Sequence, residues 1–162
     1  MAEKINIRVA SVNDAIIIDK ITNDSWNKTY KGFLSKQFLD NLYFSSKKSV
    51  EIIKKHINQF YVIERNNVVL GFVRIKEIND SVANINSLYM DINEINKGYG
   101  TMLINYIFKN LKYNKYIIEV FNENSASVFY KKIGAMYVRS EYVVMDNKKH
   151  LINIYEYKVK EC

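Results

Sequence analysis

Leu88-Tyr-Met-Asp-Ile-Asn-Glu-Ile-Asn-Lys-Gly-Tyr-Gly-Thr101 is the stretch whose reading decides the fold. Its front end closes a strand pattern that begins at Val82 and runs to Met90. Its back end opens a helix: Gly98 to Lys112 carries Met102, Leu103, Tyr106, Ile107 and Leu111 at helical spacing on one face. Between them lies a polar loop with two glycines. Gly98 and Gly100 lack Cβ atoms where a ligand can approach the backbone. The first N–H groups of a helix have no intrahelical partner, so this start is an anion site. Lys97 adds a cation beside it. A pyrophosphate is the natural guest, but two glycines one residue apart are also an ordinary turn before a helix. A Gly-x-x-x-x-Gly-Lys-Ser/Thr loop is absent. Leu103 stands where a third glycine would complete Gly-x-Gly-x-x-Gly.

Working upstream, Ile5 to Ala10 alternates as a half-buried strand. Ser11-Val-Asn-Asp14 reads as a capping box, so a helix starts near Val12 and runs towards Trp26. Ser35 caps a second short helix through Phe38, Leu39 and Leu42. A third helix spans Val50 to Ile57. Phe60 to Glu64 and Val68 to Ile78 form a hairpin around Asn66-Asn67. Asn79-Asp80 turns the chain into the strand that ends at Met90. Downstream, Tyr116 to Phe121 is a strand, and Ser125 to Ile133 is a helix stopped by Gly134. Ala135 to Met145 and Leu151 to Val159 flank the polar turn Asp146-Asn-Lys-Lys149. The order is strand, helices, three antiparallel strands, helix, strand, helix, two strands. That is a mixed α/β layout around one sheet in one domain over residues 1–162.

A second segment follows one strand later: Asn122-Glu-Asn-Ser-Ala-Ser-Val-Phe-Tyr-Lys-Lys-Ile-Gly-Ala135. Alone it reads as a capped helix with an aromatic residue in the core. Together, the two segments resemble the GNAT (Gcn5-related) N-acetyltransferase superfamily. Its cofactor motif is Gln/Arg-x-x-Gly-x-Gly/Ala after a Leu-Tyr-Val-like strand. Leu88-Tyr89-Met90 and Gly98-Tyr99-Gly100 match it. Asn124-Ser-Ala-Ser-Val-Phe129-Tyr130-Lys-Lys-Ile-Gly134 matches the spacing of the motif that follows. Trp26-Asn-Lys-Thr-Tyr30-Lys-Gly-Phe-Leu-Ser35 is similar to the acceptor-side helix region of many members. The sequence departs from the pattern at Ile95, where members carry Gln or Arg, and at Ile92, where many have Pro. Ser125-Ala126-Ser127 replaces Pro-Ser-Arg, so a cation is missing there.

The resemblance implies a mostly antiparallel, twisted sheet of six to seven strands flanked by helices. It implies acetyl-coenzyme A as cofactor and a primary amine as acceptor. The implied cofactor contacts are Leu88, Tyr89, Met90, Ile95, Asn96, Lys97, Gly98, Tyr99, Gly100, Thr101, Asn124, Ser127 and Tyr130. Tyr130 is the implied proton donor to the coenzyme A sulfur, and the Met90 N–H the implied ligand of the thioester carbonyl. Asn124 would bond the pantetheine arm, cap the helix, or do both. Trp26, Tyr30 and Phe33 would rim the acceptor pocket, where ordinary helix packing is the plainer reading. No general base is assigned. Asn84 and Asn86 occupy positions where members often carry Glu, and neither can take a proton. Glu77 and Glu119 read as solvated strand charges, and a water relay is open. His56 and His150 read as surface residues.

Bulk properties bound the alternatives. The chain has 162 residues, 48% hydrophobic and 14% aromatic, which is enough for a packed core rather than disorder. The net charge of +7 and the pI of about 9.3 favour anionic partners. The lysines are nevertheless scattered, with no Arg-rich arm and no zinc-finger spacing, so no nucleic-acid partner is expected. No apolar run suggests a membrane span or a signal peptide. A single cysteine, Cys162, excludes an internal disulfide and suits a reducing cytoplasm. A metal site is not expected, a homodimer is possible by resemblance, and an inactive acyl-coenzyme A-binding module is the alternative to an enzyme.

Overall fold

The computed structural model describes residues 2–41 and 47–160. The readings that fall on Leu42 and Cys162 lie outside the described residues. The elements are β1 (Ile5–Val9), α1 (Ala15–Tyr30), α2 (Lys36–Asn41), α3 (Lys47–Lys55), β2 (Phe60–Arg65), β3 (Val68–Glu77) and β4 (Val82–Met90). They continue with α4 (Tyr99–Asn110), β5 (Lys115–Phe121), α5 (Ala126–Lys132), β6 (Met136–Met145) and β7 (Lys148–Lys158). The expected mixed α/β class is observed, with an open sheet of seven strands in the order β1-β2-β3-β4-β5-β7-β6. The β4–β5 pair is parallel. That follows from connectivity, because a parallel neighbour needs a long crossover and the chain supplies one through α4. The chain forms two compact units, Met1–Arg74 with Ser87–Lys109, and Ile75–Asn86 with Asn110–Cys162.

In the first unit, β1 and β2 pair antiparallel from Ile5↔Arg65 to Val9↔Tyr61. The β2–β3 hairpin turns on Asn66 and Asn67, whose φ values of 50° and 68° match the twist of the flanking strands. Asparagine tolerates this left-handed backbone better than other side-chain-bearing residues. The core gathers Ala10, Ile18, Ile21, Phe60, Val62 and Phe72, with Tyr89 packed at its margin. Helix α4 buries Leu103, Ile104, Ile107 and Phe108. Met102, expected on the buried face, is exposed, and Tyr106 and Leu111 are only partly buried. The sequence offers two overlapping apolar stripes on this helix, and packing selects the one through Ile104 and Phe108. Ser49, a polar residue inside the third helix, is buried and donates to the Asp19 carboxylate at 2.6 Å. Burial raises the Asp19 carboxyl above its ordinary range, and the Ser49 bond opposes that rise.

The capping box is present: Ser11 N–H donates to Asp14 Oδ2 at 2.7 Å. Asp14 also anchors an ion network that the sequence reading missed. Arg8 donates to both Asp14 oxygens, at 2.7 and 3.1 Å, and to Glu64 Oε2 at 3.1 Å. Asn6 donates to Glu64 Oε1 at 3.1 Å. Asp14 and Glu64 are both buried, so each depends on these donors. The bond from Arg8 holds the Asp14 carboxyl below its ordinary range. The bond from Asn6, then those from Arg8, do the same for Glu64.

In the second unit, β4 pairs with β5 from Val82↔Lys115 to Ile85↔Ile118, and β5 pairs antiparallel with β7. Asn79 Oδ1 accepts from the N–H groups of Ser81 and Val82, both at 3.0 Å, which makes the expected turn before β4. Tyr116, Ile118, Ile154 and Tyr155 are buried in this unit. The β6–β7 hairpin turns on Asp146 and Asn147 (φ 54° and 59°) rather than on the four-residue turn expected. His150, expected at the surface, is 5% exposed. Its Nε2 lies 3.0 Å from Met145 O, and its ring meets Phe121 edge-on. The shorter turn draws His150 into β7 and turns it inward. His56 is likewise partly buried rather than fully exposed.

The network around Arg8 yields a stability prediction. Arg8→Ala should cost roughly 1–3 kcal/mol at neutral pH in urea denaturation, because two buried carboxylates lose their charged donor and keep only neutral ones. Both carboxyls have depressed folded-state values, so their contribution is complete above the unfolded carboxylate range and is lost as pH falls through the folded values. The native chain should therefore lose more stability than Arg8→Ala between about pH 5 and pH 3.

Candidate functional site

The end of β4 is shaped by a glycine opposite it. A Cβ on Gly71 would collide with the Met90 thioether and lie 2.7 Å from Tyr89 O. Gly71 therefore lets Met90 lie flat across β3, and Tyr89 meets Phe72 edge-on at 5.9 Å. The signal for Gly71 was present in the sequence as a lone glycine inside the run Val68-Val-Leu-Gly-Phe-Val73, a mark of close backbone approach. Asp91 N–H then donates to Leu70 O at 2.7 Å. Leu88, Tyr89 and Met90 are all partly buried.

The loop after Met90 begins with a turn, in which Glu94 N–H donates to Asp91 O at 2.8 Å. Asn96 (φ 63°) and Gly98 (φ 87°) are both left-handed. A Cβ on Gly98 would meet nothing within 4 Å, so this glycine is needed for its backbone angle and not for space. The first bond of α4 runs from Met102 N–H to Gly98 O at 3.1 Å. The N–H groups of Tyr99, Gly100 and Thr101 therefore precede the intrahelical ladder and point outward from the helix start.

A side-chain clamp fixes this loop. Arg65, at the end of β2, donates to Glu94 Oε1 at 2.9 Å and to Tyr99 Oη at 3.0 Å. Its guanidinium carbon also lies 5.9 Å from the Tyr99 ring centre. Lys97 Nζ bonds Glu94 Oε2 at 3.2 Å. The Arg65 bond, then the Lys97 bond, hold the Glu94 carboxyl below its ordinary range. The sequence reading singled out Lys97 and Tyr99 but missed Arg65 and Glu94, which lie on either side of them in the clamp. Lys97 is thus shared with a carboxylate rather than wholly available to an anion. Ile95 is 39% exposed and brings no polar side chain to the loop.

Trp26, Tyr30 and Phe33 form one aromatic run, with ring centres 4.5 Å apart for the first pair and 5.2 Å for the second. Tyr30 is buried, and Trp26 and Phe33 are partly exposed. Gly32 (φ 98°) turns the chain between them.

In the second unit, Asn124 Oδ1 accepts from Ala126 N–H at 2.9 Å, a turn bond made one position before Ser125, the residue that stands at the N-cap of α5. Ser127 is partly buried on the first turn. Tyr130 is 7% exposed and meets Phe129 edge-on at 5.3 Å. Gly134 (φ 100°) ends the helix as expected. Asn84 donates its amide to Ile117 O at 3.2 Å. Glu77 accepts from Tyr113 Oη at 2.6 Å and pairs with Lys112 at 3.1 Å. Both bonds lower the Glu77 carboxyl, the Tyr113 bond more. That makes Glu77 a weaker base still. Glu119 is exposed on β5. Among the described residues, no cluster of His, Cys, Asp or Glu is arranged to hold a metal ion, and no helix is long and apolar enough to cross a membrane.

Residues 56–134 match the sequence family described as Acetyltransferase (GNAT) domain. None of the curated proteins matches the chain in sequence. The fold is similar to that of a PaiA N-acetyltransferase from Thermoplasma acidophilum solved in complex with coenzyme A. That likeness has a TM-score of 0.74 at 23% identity, covering 96% of this chain and 99% of that one. YncA from Salmonella typhimurium, a putative acetyltransferase solved with acetyl-coenzyme A, gives a TM-score of 0.72 at 15% identity, covering 98% and 95%. A putative phosphinothricin N-acetyltransferase gives 0.76 at 19% identity, covering 98% and 100%.

Two substitutions check how the loop is held. Gly98→Ala should cost roughly 1–3 kcal/mol in chemical denaturation through its left-handed backbone, and Gly98→Asn should cost less. Glu94→Gln should raise amide hydrogen exchange at residues 95–98 about tenfold while leaving the global melting temperature nearly unchanged, because the clamp holds a local segment.

Proposed function

We propose that this protein transfers the acetyl group of acetyl-coenzyme A to a primary amine, because residues 56–134 match the GNAT acetyltransferase domain and the chain is similar in fold to solved acetyltransferases. The observation that carries the reading is the clamped loop. Asn96 and Gly98 are left-handed, and Arg65 and Glu94 hold them ahead of a helix start with outward N–H groups. That chemistry fits a pyrophosphate without the side-chain donor that Ile95 lacks, because backbone N–H groups supply the bonds. The residues proposed to hold the cofactor are Leu88, Tyr89, Met90, Ile95, Asn96, Lys97, Gly98, Tyr99, Gly100 and Thr101. Asn124, for the pantetheine arm, and Ser127 are also proposed as cofactor-binding residues. The chain acts as one domain over residues 1–162, in the reducing cytoplasm suited to its single cysteine.

Acetyl-coenzyme A supplies the acetyl group as a thioester. The Met90 N–H polarises the carbonyl as negative charge develops on its oxygen. Tyr130 gives a proton to the departing sulfur. The acceptor must arrive neutral: an alkyl amine with a pKa near ~10.4 is unprotonated in about one molecule in 10³ at pH 7. Neither Asn84 nor Asn86 can remove that proton, and Glu77 is already bonded by Tyr113 and Lys112. Glu119, exposed on β5, and a water relay are the routes left for that proton. Trp26, Tyr30 and Phe33 rim the acceptor side, where an aromatic surface suits the alkyl part of an amine and attracts a cationic one.

Calorimetric titration with acetyl-coenzyme A, beside Gly100→Trp, tests the first step. Binding to the native chain and not to the variant is expected. No binding to the folded native chain overturns the proposal. Thiol release over a panel of amines and peptides tests the second step, and Tyr130→Phe should lower kcat by about 10²-fold. Binding without turnover on any acceptor would leave a module that holds acyl-coenzyme A and has lost catalysis.

A further inference from the structure

Four side chains of the second unit form a continuous relay. Tyr137 Oη lies 2.7 Å from Ser140 Oγ, Ser140 Oγ donates to Asn153 Oδ1 at 2.8 Å, and Asn153 Nδ2 donates to Asn122 Oδ1 at 3.1 Å. The relay starts on β6, crosses β7 and ends on the residue after β5. Its direction follows from counting protons. An amide oxygen only accepts, so the single hydroxyl proton of Ser140 goes to Asn153. Tyr137 must therefore donate to Ser140. At the far end the Asn122 oxygen is occupied, so its Nδ2, with two N–H donors, is the atom turned outward. Asn122 and Tyr137 are exposed, and water would satisfy both ends equally well. What the relay adds is orientation: an asparagine that can show either oxygen or nitrogen shows nitrogen.

Asn122 stands in the turn closed by Asn124 N–H to Phe121 O at 2.9 Å, and its own N–H is fixed to Leu151 O at 2.9 Å. The proposed function gives Asn124 to the pantetheine arm and gives no residue of β6 or β7 to the cofactor. On that assignment, a donor held from β6 and β7 belongs to the acceptor. The fate of the proton favours an acceptor of one kind. Asn84 and Asn86 cannot take it, and the Asn84 amide donates to Ile117 O at 3.2 Å. An amine that is often neutral needs little help. The α-amino group of a peptide has a pKa of about 7.7–8.0 and is neutral in roughly one molecule in ten at pH 7, about a hundredfold more often than an alkyl amine near ~10.4. The carbonyl that lowers this pKa also carries an oxygen that an outward N–H pair can bind. Resting on acetyl transfer as proposed above, we propose that the acceptor is the N-terminal α-amino group of a peptide, and that Asn122 binds its first carbonyl oxygen. Ser140 and Asn153 are positioning residues for Asn122.

Thiol release with two kinds of acceptor tests this: tripeptides varied at the first residue, and n-butylamine. At pH 7, kcat/KM for the best peptide should exceed that for the alkyl amine about 10²-fold from the neutral fraction alone. Peptide turnover should level off above about pH 8, while amine turnover keeps rising. Asn122→Asp keeps an oxygen for Asn153 but replaces the outward donors, and should lower the peptide-to-amine ratio of kcat/KM about tenfold. Ser140→Ala breaks the relay and should lower the same ratio about threefold, and Ser140→Thr, which keeps the hydroxyl, should restore it. A preference for n-butylamine, or a ratio that neither Asn122→Asp nor Ser140→Ala moves, overturns this inference while acetyl transfer stands. Equal losses on both acceptors mean that Asn122 serves the fold or the cofactor, and overturn it too. Turnover of neither acceptor by chain that binds acetyl-coenzyme A removes acetyl transfer to amines and this inference together.

Discussion

The carboxylate of Glu94 is the tie on which the loop geometry depends. It closes the turn that follows β4 and accepts from Arg65, a residue almost thirty positions earlier. The same guanidinium reaches Tyr99 at the first position of α4. One cation thus joins the end of β2, the middle of the loop and the start of the helix. Without it, the left-handed turns at Asn96 and Gly98 would be one set of conformations among many, because a short polar loop pays a large entropy to stay fixed. With it, the backbone N–H groups of the helix start are held in a single arrangement before any ligand arrives.

This arrangement also accounts for the departure at Ile95. A side-chain donor placed there would contribute one hydrogen bond to a phosphate. The chain instead has an exposed aliphatic residue at that position and fixes the backbone around it by an ion pair. The proposed anion site then rests on peptide groups and on the helix end, which vary little with side-chain identity. Gly71 has a comparable effect at the preceding strand end, since its missing Cβ leaves room for Met90 at the close of β4.

Polar groups in the first unit follow the same rule. Asp14 and Glu64 are buried and would be unfavourable alone, but Arg8 supplies bonds to both and Asn6 a further one to Glu64. Each of these carboxylates is held in its charged form by a donor from another element. In the second unit, the turn at Asp146 and Asn147 leaves two residues where four were expected, and the extra length goes into the β6–β7 pair. That longer pairing turns His150 inward.

Local periodicity and turn chemistry determined much of the protein from sequence. The alternation in β1 and β2, the Asn66-Asn67 hairpin, the Ser11–Asp14 cap, the helix opened by Gly98 and the stop at Gly134 all depend on neighbours a few residues apart. The spacing from Leu88 to Gly100 and from Asn124 to Gly134 depends on them too, so the family resemblance was readable there. Long-range pairing was not. Nothing near Arg65 in the chain indicates Glu94, and nothing near Arg8 indicates Glu64. The buried stripe of α4, the inward turn of His150 and the fit of Gly71 beneath Met90 depend on which surfaces meet. Side-chain spacing sets what a segment can bury, but only the three-dimensional arrangement selects what it does bury, because burial and ion pairing are interactions between distant parts of the chain.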